Sequence, residues 1–378
     1  MMHTLNKIAI ACGGTGGHFY PGLSVAVEFK KLGGTPLLIL SGKHSEEQKL
    51  KALELDIESE IIPSPPVPTG ILEKIDYSKT CAINIMKIIK IFSSFKPDAL
   101  LVMGSYTSIA AGIASTISKV PMVIHEGNSL AGKANLFLSR FASKMALSFP
   151  AVNSRKIVCK YEITGMPVRN DLIQKRAESK KDAISQINSI YGVNFSPFQP
   201  LILVFGGSQG AMKINDLVPP AFEMQKNKNF QVIHIAGSGK AAETNEKYAA
   251  VNLPKLILGT SDKMSLMYAA SDLVICRSGG STLAELALFG KYAILAPYPY
   301  ASDNHQRDNA EYYASSGAGT VLNDTDFTIT RISALINSFL ENPSEYQEKG
   351  KLSNKIAAPD AASKIINLIR ESVLSKPA

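Results

Sequence analysis

Two segments of this chain share one layout, in which an apolar run leads directly into a glycine-rich turn and then into a helical pattern. In the first, Lys7–Cys12 precedes the glycines of 13–17, and in the second, Leu201–Phe205 precedes those of 206–210. Parallel α/β sheets use such turns, because glycine lets the chain leave a strand tightly and enter a helix. Two copies in 378 residues predict two similar α/β domains.

Short apolar runs that alternate with helical patterns continue this layout and predict parallel strands joined by helical crossovers. The further predicted strands are Pro36–Leu40, Ala99–Met103, Met122–His125, Met145–Phe149, Phe230–Ile235, Lys255–Leu258, Leu273–Cys276 and Tyr292–Ala296. The first helix is predicted over Pro21–Leu32, and a separate amphipathic helix over Asp360–Leu374. The fold class is therefore α/β, with the domains joined near 161–169.

The basic residues are unevenly distributed. The chain has 40 Lys and Arg against 32 Asp and Glu, a net charge of +8, and residues 1–160 alone hold 18 basic and 11 acidic side chains. A basic half suits nucleic acid, an anionic membrane or a phosphorylated substrate. Scattered lysines without interleaved aromatic residues disfavour nucleic acid. Four widely spaced cysteines favour a reducing compartment, and no apolar run is long enough to span a membrane.

The spacing of the glycines excludes two common nucleotide-binding motifs. A GxGxxG fingerprint that began at Gly14 would need glycine where Phe19 stands, and a Walker A motif that ended at Lys240 would need glycine at His234. Neither metal-ligand spacing nor a DxD motif is present. We therefore expect no cofactor. We expect backbone amides and helix N-termini to bind any phosphate.

Polar side chains follow the predicted strands at the edge where open α/β sheets bind ligands. His18 follows the first glycine turn, where it either accepts a proton from a hydroxyl or caps the helix. Glu126 and Asn128 follow another strand. In the second half, Glu285 follows the turn at 277–280 and either binds a ribose or lies on a solvated helix face.

Together and in this order, the motifs resemble the MurG family of bacterial N-acetylglucosaminyltransferases. The matching segments are GGTGGHFYP at 13–21, HEGNSLAGKAN at 125–135, TGMPVRN at 164–170, FGGSQGA at 205–211, CRSGGSTLAEL at 276–286 and NHQRDNA at 304–310. The resemblance implies a GT-B fold, two Rossmann-like domains with parallel sheets that face across a cleft. Residues 1–163 would form the acceptor and membrane-facing domain and 164–359 the donor domain, with the helix at 360–378 packing back on the first.

The activity that the resemblance implies is inverting transfer of GlcNAc from UDP-GlcNAc to the 4-hydroxyl of MurNAc in lipid I, which forms lipid II. Such an enzyme would bind the anionic cytoplasmic face of the bacterial inner membrane peripherally and meet other cell-wall synthesis and division proteins. The alternatives are another GT-B lipid glycosyltransferase, such as a diacylglycerol glucosyltransferase, a UDP-GlcNAc 2-epimerase, or a non-catalytic scaffold that binds nucleotide sugars. Residues 71–96, apolar with five lysines, are either a membrane patch or a core helix with a lysine face.

The resemblance also implies roles for individual residues. His18 is the candidate base, with Glu126 as the alternative. The implied donor-binding residues are Thr15, Gly16, Gly17, Asn128, Arg169, Ser208, Ser261, Gly280, Ser281, Thr282, Leu283, Ala284, Glu285, His305 and Gln306, and the implied acceptor or phosphate-binding residues are Gly14, Ser105, Tyr106 and Thr107. Of these, Ser208 would meet the diphosphate, Glu285 the ribose, and His305 and Gln306 the GlcNAc hydroxyls.

Overall fold

The chain divides into two compact units in a computed structural model. Unit 1 comprises Met1–Arg169 and Ala358–Ala378, and unit 2 comprises Asn170–Ala357. The structure describes residues 5–42, 44–63, 71–105, 108–207, 209–300 and 304–374, with the side chains of 71–77 left out. Each unit is a parallel sheet with helices packed against it.

The strands are short and follow one another with helices between most of them. In chain order they are β1 Lys7–Ala11, β2 Thr35–Leu40, β3 Glu58–Ile61, β4 Ala99–Val102, β5 Met122–Glu126, β6 Lys144–Leu147, β7 Lys160–Ile163, β8 Leu201–Phe205, β9 Gln231–Ile235, β10 Lys255–Leu258, β11 Leu273–Cys276, β12 Tyr292–Leu295 and β13 Gly319–Val321.

The α-helices vary from one and a half turns to seven turns. They are α1 Gly16–Lys31, α2 Ser45–Glu54, α3 Ile71–Phe95, α4 Ser108–Ile117, α5 Lys133–Leu138, α6 Asn170–Lys175, α7 Lys180–Tyr191, α8 Met212–Glu223, α9 Ala241–Glu246, α10 Met264–Ala270, α11 Gly280–Leu288, α12 His305–Ser315, α13 Ile329–Glu341, α14 Pro343–Lys351 and α15 Ala361–Leu374. Short 3-10 helices lie at Ser154–Lys156 and Leu352–Ile356. Within the described residues, no helix is both long and apolar enough to cross a membrane.

Both sheets reverse their strand order at one point. Among the described residues, the order in unit 1 is β3-β2-β1-β4-β5-β6-β7 and the order in unit 2 is β10-β9-β8-β11-β12-β13. All of the neighbouring strands are parallel. A ligand site in such a sheet forms outside the carboxyl ends of the strands at the reversal. The loops after β1 and β4 in unit 1, and after β8 and β11 in unit 2, are therefore the places to look for one.

The two faces of β1 show how unit 1 is built. Ile8 and Ile10 are fully buried in the cluster that includes α1 and α15, whereas Ala9 and Ala11 belong to the cluster on the other face, with α3 and α4. Because alternate side chains of a strand point to opposite faces, a continuous apolar run such as this one is needed where helices cover both faces. The terminal helix α15 thus belongs to the core of unit 1.

The sequence predicted the buried strands but not the edge strands β3, β7 and β13. All four residues of β7 are exposed, and the exposure in β3 alternates between partial and high, so neither has the apolar run that marks a central strand. The first helix also begins at Gly16 instead of Pro21, which corrects its predicted start. As a result, His18 lies in the first turn of α1.

Candidate active site

The first glycine turn is held tightly against the end of β2. A Cβ on Gly13 would lie 2.1 Å from the Ser41 backbone nitrogen, so a side chain cannot be accommodated there. The N–H of Gly14 donates to the Ser41 carbonyl at 2.6 Å. The turn leads into α1 at Gly16, which places the N-terminus of this helix at the carboxyl edge of the sheet. Such a helix end favours a negatively charged ligand.

His18 is held between this turn and the loop after β4. Its Nδ1 lies 3.2 Å from the Thr15 hydroxyl. On the other side, a Cβ on Gly104 would lie 3.3 Å from both Cδ2 and Nε2 of the imidazole, and Gly104 has φ +99°. The imidazole is half-buried, which leaves part of it open to a ligand. A half-buried imidazole at this edge can accept a proton from a ligand hydroxyl that comes within hydrogen-bond distance of a ring nitrogen.

Glu126, at the end of β5, is only 4% exposed, and both of its oxygens are used. Oε1 accepts from the N–H and side-chain amide of Asn128 at 3.0 and 3.3 Å, and Oε2 accepts from the N–H of Gly132 at 2.9 Å and from Asn135 Nδ2 at 2.8 Å. Burial raises the pKa of this carboxyl, and the four hydrogen bonds oppose that rise. The carboxylate therefore fixes the loop at 127–132.

Asn135, on α5, joins Glu126 to the His18 side of the site. Its Nδ2 also donates to the His125 carbonyl at 3.2 Å and lies 3.5 Å from a Cβ placed on Gly104. The side chain is 3% exposed, and its Oδ1 has no hydrogen-bond partner among the described residues. The sequence analysis did not select Asn135, although it ends the segment 125–135 that carried the resemblance. Its position nine residues after the candidate Glu126 was the available signal.

The structure thus brings together a contiguous group of His18, Gly104, Asn135 and Glu126. The other predicted residues of unit 1 lie around it: Gly14, Thr15, Gly16 and Gly17 in the turn and the start of α1, Ser105 after β4, and Asn128 after β5. Arg169 lies with its guanidinium 5.4 Å from the centre of the Tyr20 ring on α1. Tyr106 and Thr107 lie outside the described residues.

In unit 2, the second glycine turn packs on the loop after β9. Gly210 has φ +71°, and a Cβ there would lie 1.9 Å from the Ala236 carbonyl oxygen. Lys240 Nζ donates to the Gln209 carbonyl at 2.9 Å, which ties the same two loops. Ser208, the predicted diphosphate contact in this turn, lies outside the described residues.

A third turn, at 277–279, leads into α11 and is fixed from two directions. Arg277 Nη1 donates to the carbonyls of Ala296 at 2.8 Å and Pro297 at 3.0 Å. The Ser278 hydroxyl donates to the Gln306 carbonyl at 2.7 Å. Burial lowers the pKa of Arg277. The two carbonyl oxygens that accept from its guanidinium stabilise the positive charge. The turn is therefore bound to the loop after β12 and to the start of α12.

The predicted donor residues of α11 occupy its first two turns: Gly280, Ser281, Thr282, Leu283, Ala284 and Glu285. The Ser281 hydroxyl oxygen is buried and has no hydrogen-bond partner among the described residues. Glu285 Oε2 accepts from the Tyr268 hydroxyl at 2.8 Å. An N-terminus with an unpartnered buried hydroxyl suits an anionic group such as a diphosphate.

His305 and Gln306 begin α12, and Gln306 Oε1 accepts from the Tyr298 backbone N–H at 3.0 Å. Ser261, after β10, accepts from the Lys263 N–H at 3.1 Å and lies 3.3 Å from the Tyr191 hydroxyl. Within the described residues, no group of three or more His, Cys, Asp or Glu side chains is placed to hold a metal ion.

Comparisons with known proteins identify the family. Models of the glycosyltransferase family 28 N-terminal and C-terminal domains match residues 8–147 and 201–365. A curated relative from Citrifermentans bemidjiense is 32% identical over 96% of this chain and 98% of its own, and one from Halothermothrix orenii is 32% identical over 97% and 99%. Both are named UDP-N-acetylglucosamine–N-acetylmuramyl-(pentapeptide) pyrophosphoryl-undecaprenol N-acetylglucosamine transferase. The chain belongs to the MurG family.

Solved structures agree with this assignment. The crystal structure of Acinetobacter baumannii MurG covers 97% of this chain and 99% of its own, with a TM-score of 0.76 and 25% sequence identity. A UDP-GlcNAc 2-epimerase from Neisseria meningitidis has a TM-score of 0.68 at 16% identity, a likeness that concerns the fold alone. The predicted fold class, a GT-B fold with two α/β domains, is confirmed.

Proposed function

We propose that this chain transfers GlcNAc from UDP-GlcNAc to the 4-hydroxyl of MurNAc in lipid I and so forms lipid II. The observation that carries the proposal is the match of nearly the full chain to relatives named for this transfer. The site agrees with it, since one unit offers a half-buried imidazole beside a glycine turn and the other a helix N-terminus suited to a diphosphate. Transfer to a hydroxyl needs a base and a stabilised leaving group.

In this proposal His18 is the catalytic base. Its imidazole accepts the proton of the 4-hydroxyl as the oxygen attacks C1 of the donor sugar. The bond between C1 and the diphosphate oxygen breaks, UDP leaves with the electron pair, and attack from the opposite face inverts the anomeric centre. Thr15, 3.2 Å from Nδ1, orients the ring, and Gly104 leaves room for it. Of the two candidate bases, His18 has the better access, since every oxygen of Glu126 is engaged.

Glu126 and Asn135 are positioning residues in the same scheme. The carboxylate holds the loop that carries Asn128, a proposed donor contact, and Asn135 joins that loop to the Gly104 loop next to His18. A network of buried, hydrogen-bonded polar groups fixes geometry more firmly than isolated side chains do. The network thereby fixes the position of His18 relative to the loop that carries Asn128.

The leaving diphosphate would be bound by the N-terminus of α11, where no described residue is a hydrogen-bond partner of the Ser281 hydroxyl, with Glu285 at the ribose and Gln306 at the hexose. The N-terminus of a helix stabilises a nearby negative charge by about 0.3–1 kcal/mol at exposed sites and by more where water is excluded. We propose that this arrangement balances the charge of the departing UDP and that no cofactor is required.

We further propose that the protein binds peripherally to the cytoplasmic face of the bacterial inner membrane, where other cell-wall synthesis and division proteins are further partners. Helix α3 supports this location. It buries Asn84, Ile88 and Phe92 in unit 1, and exposes Ile83 and Met86 on another face. Exposed lysines at 79, 87 and 90 follow the same helical spacing as this apolar pair. Apolar side chains among lysines suit an anionic lipid surface.

The test supplies the purified protein with UDP-GlcNAc and a water-soluble lipid I analogue and measures formation of the β-linked disaccharide together with UDP. We expect product with UDP-GlcNAc and little with UDP-glucose. Donor binding without any product would support the non-catalytic scaffold, and glucosyl transfer to diacylglycerol would support the other lipid glycosyltransferase. Either of those results would overturn the proposed reaction.

A further inference from the structure

Two tyrosines on the loop after β12 are exposed at the carboxyl edge of the unit 2 sheet. Tyr300 is 83% exposed and Tyr298 is 44% exposed, and their rings meet edge to face with centroids 5.7 Å apart. A single exposed aromatic residue needs no explanation, but an ordered pair at the edge where parallel sheets bind ligands indicates a contact surface. Neither tyrosine was selected from the sequence.

Tyr298 is fixed in place by two of the elements that build the donor site. Its backbone N–H donates to Gln306 Oε1 at 3.0 Å, and the guanidinium of Arg277 lies 5.5 Å from the centre of its ring. Arg277 itself is bound to the carbonyls of Ala296 and Pro297, just before this tyrosine. Tyr298, against which the ring of Tyr300 packs, is therefore preorganised, and preorganisation lowers the entropic cost of binding.

We propose that Tyr298 and Tyr300 form the apolar wall of the subsite for the donor's GlcNAc ring, opposite the polar contact made by Gln306. This inference rests on the proposed function, because it takes UDP-GlcNAc as the donor. A pyranose ring has C–H groups on its faces and hydroxyls around its edge, so it is recognised by an aromatic ring together with an amide. Tyrosine supplies a large rigid surface at a low conformational cost.

The hydrogen bond from Tyr298 to Gln306 puts the tyrosines beside the residue that is proposed to contact the hexose. That bond takes one of the two acceptor positions of Gln306 Oε1, and in the proposal the amide nitrogen Nε2 donates to a sugar hydroxyl. The nucleoside end is assigned to Glu285, on the second turn of α11, whereas Gln306 and the tyrosines belong to α12 and the loop before it. The pair of Tyr298 and Tyr300, the tyrosine platform, thus contributes to recognition of the transferred sugar, and other residues bind the nucleoside.

The test measures the Kd of UDP-GlcNAc and the Kd of UDP by calorimetry. These two ligands differ by the hexose. We expect Tyr300→Ala to weaken the binding of UDP-GlcNAc about three- to tenfold, as loss of one aromatic contact implies. The Kd for UDP stays within about twofold of the wild type, as expected of a site that touches only the hexose. Tyr300→Phe retains the ring and the wild-type affinity for both. Phe198→Ala, a truncation at another aromatic residue of unit 2 that is 92% exposed, leaves both affinities unchanged.

Several outcomes would overturn the proposal. Equal losses for UDP and UDP-GlcNAc in Tyr300→Ala would make the tyrosine a structural element of the whole donor site, and unchanged affinities would remove it from the site. If Tyr300→Ala raised only the KM of the acceptor, the tyrosine platform would belong to the acceptor site. Because the binding measurements need no turnover, they remain decisive even if the wild type forms no lipid II, a result that would contradict the proposed function instead.

Discussion

At the scale of single residues, the two candidate bases, His18 and Glu126, differ in how accessible they are to a substrate, and this difference separates their roles. His18 is half-buried, whereas Glu126 is 4% exposed and accepts four hydrogen bonds. When such a carboxylate takes a proton, the proton occupies an acceptor position that an N–H donor now uses, so protonation costs the site a hydrogen bond. The two side chains therefore make different contributions to the same reaction.

Glutamine substitutions distinguish the two roles. We expect His18→Gln to lower kcat by about 10²–10⁴-fold, the usual contribution of a general base, and to remove the acidic limb of the pH profile of kcat/KM. In Glu126→Gln, an NH2 group faces N–H donors, so the free energy of unfolding falls by about 1.5–3 kcal/mol. Its acidic limb remains because His18 is intact. Loss of that limb in Glu126→Gln and its survival in His18→Gln would reverse the assignment.

A second histidine, His234 on β9, has a structural role and makes the free energy of unfolding depend on pH. Its Nε2 lies 3.0 Å from Asn215 Oδ1 and its Nδ1 2.9 Å from the Tyr248 hydroxyl. Burial, with a smaller effect of Lys247, lowers its pKa from 6.5 to about 3. Below pH 6.5 the unfolded chain takes up a proton that the folded chain does not, so stability falls as the pH falls towards 3.

The slope of that loss is measurable. We expect His234→Gln, which keeps hydrogen-bonding groups but does not titrate, to remove about 1.4 kcal/mol per pH unit from the dependence of unfolding free energy between pH 6 and 4. Urea unfolding at a series of pH values gives this slope whatever the absolute stability of the variant. Parallel curves for the variant and the wild type would show that the histidine is protonated in the folded state.

The sequence identified most of these residues by type and spacing, and missed those whose role depends on packing. The candidates His18, Glu126 and Glu285 stand out because they follow glycine turns or strand ends. Asn135 does not, because its role comes from α5 being packed beside the Gly104 loop, which spacing alone does not give. The exposure of Tyr300 is likewise a property of the folded loop.

At the scale of elements, the central strands were predictable, and of the four edge strands of the described sheets only β10 was. Strands such as β8, Leu201–Phe205, are apolar throughout because both faces are covered, whereas β3 and β7 carry charged residues at sheet edges. Helix α3 was left open between a membrane patch and a core helix. It has a core face and also an exposed face with apolar residues among lysines, and the membrane patch stays a prediction.

We expect the exposed face of α3 to bind anionic lipid. Changing Lys79, Lys87 and Lys90 to Glu weakens binding to vesicles that contain anionic lipid about a hundredfold or more, because each lysine near such a surface contributes about 1 kcal/mol. The same three-charge reversal at exposed lysines 181, 226 and 355 of unit 2 is the matched control and leaves binding almost unchanged. Cosedimentation at low and high salt measures both, and equal losses in the two variants would contradict a specific surface on α3.

At the scale of the whole molecule, the chain returns to unit 1 at its end. Ile365, Ile366 and Ile369 of α15 are completely buried in the cluster that contains Ile8 and Ile10 of β1. The amphipathic pattern at 360–374 predicted the helix, but its association with the first unit was implied only by the resemblance. Periodicity shows that a helix has an apolar face without showing which sheet that face covers.

The position of α15 makes the stability of unit 1 depend on residues more than 300 positions from β1. We expect Ile369→Ala to lower the free energy of unfolding of unit 1 by about 2–5 kcal/mol, the cost of a cavity in a packed core. Ile336→Ala, an equal truncation at a fully buried position of α13, destabilises unit 2 instead. Hydrogen exchange resolved by peptide distinguishes the two, because amides exchange faster in the unit whose core is weakened. Faster exchange in the strands of unit 2 after Ile369→Ala, with those of unit 1 unchanged, would show that α15 does not stabilise the sheet against which it packs.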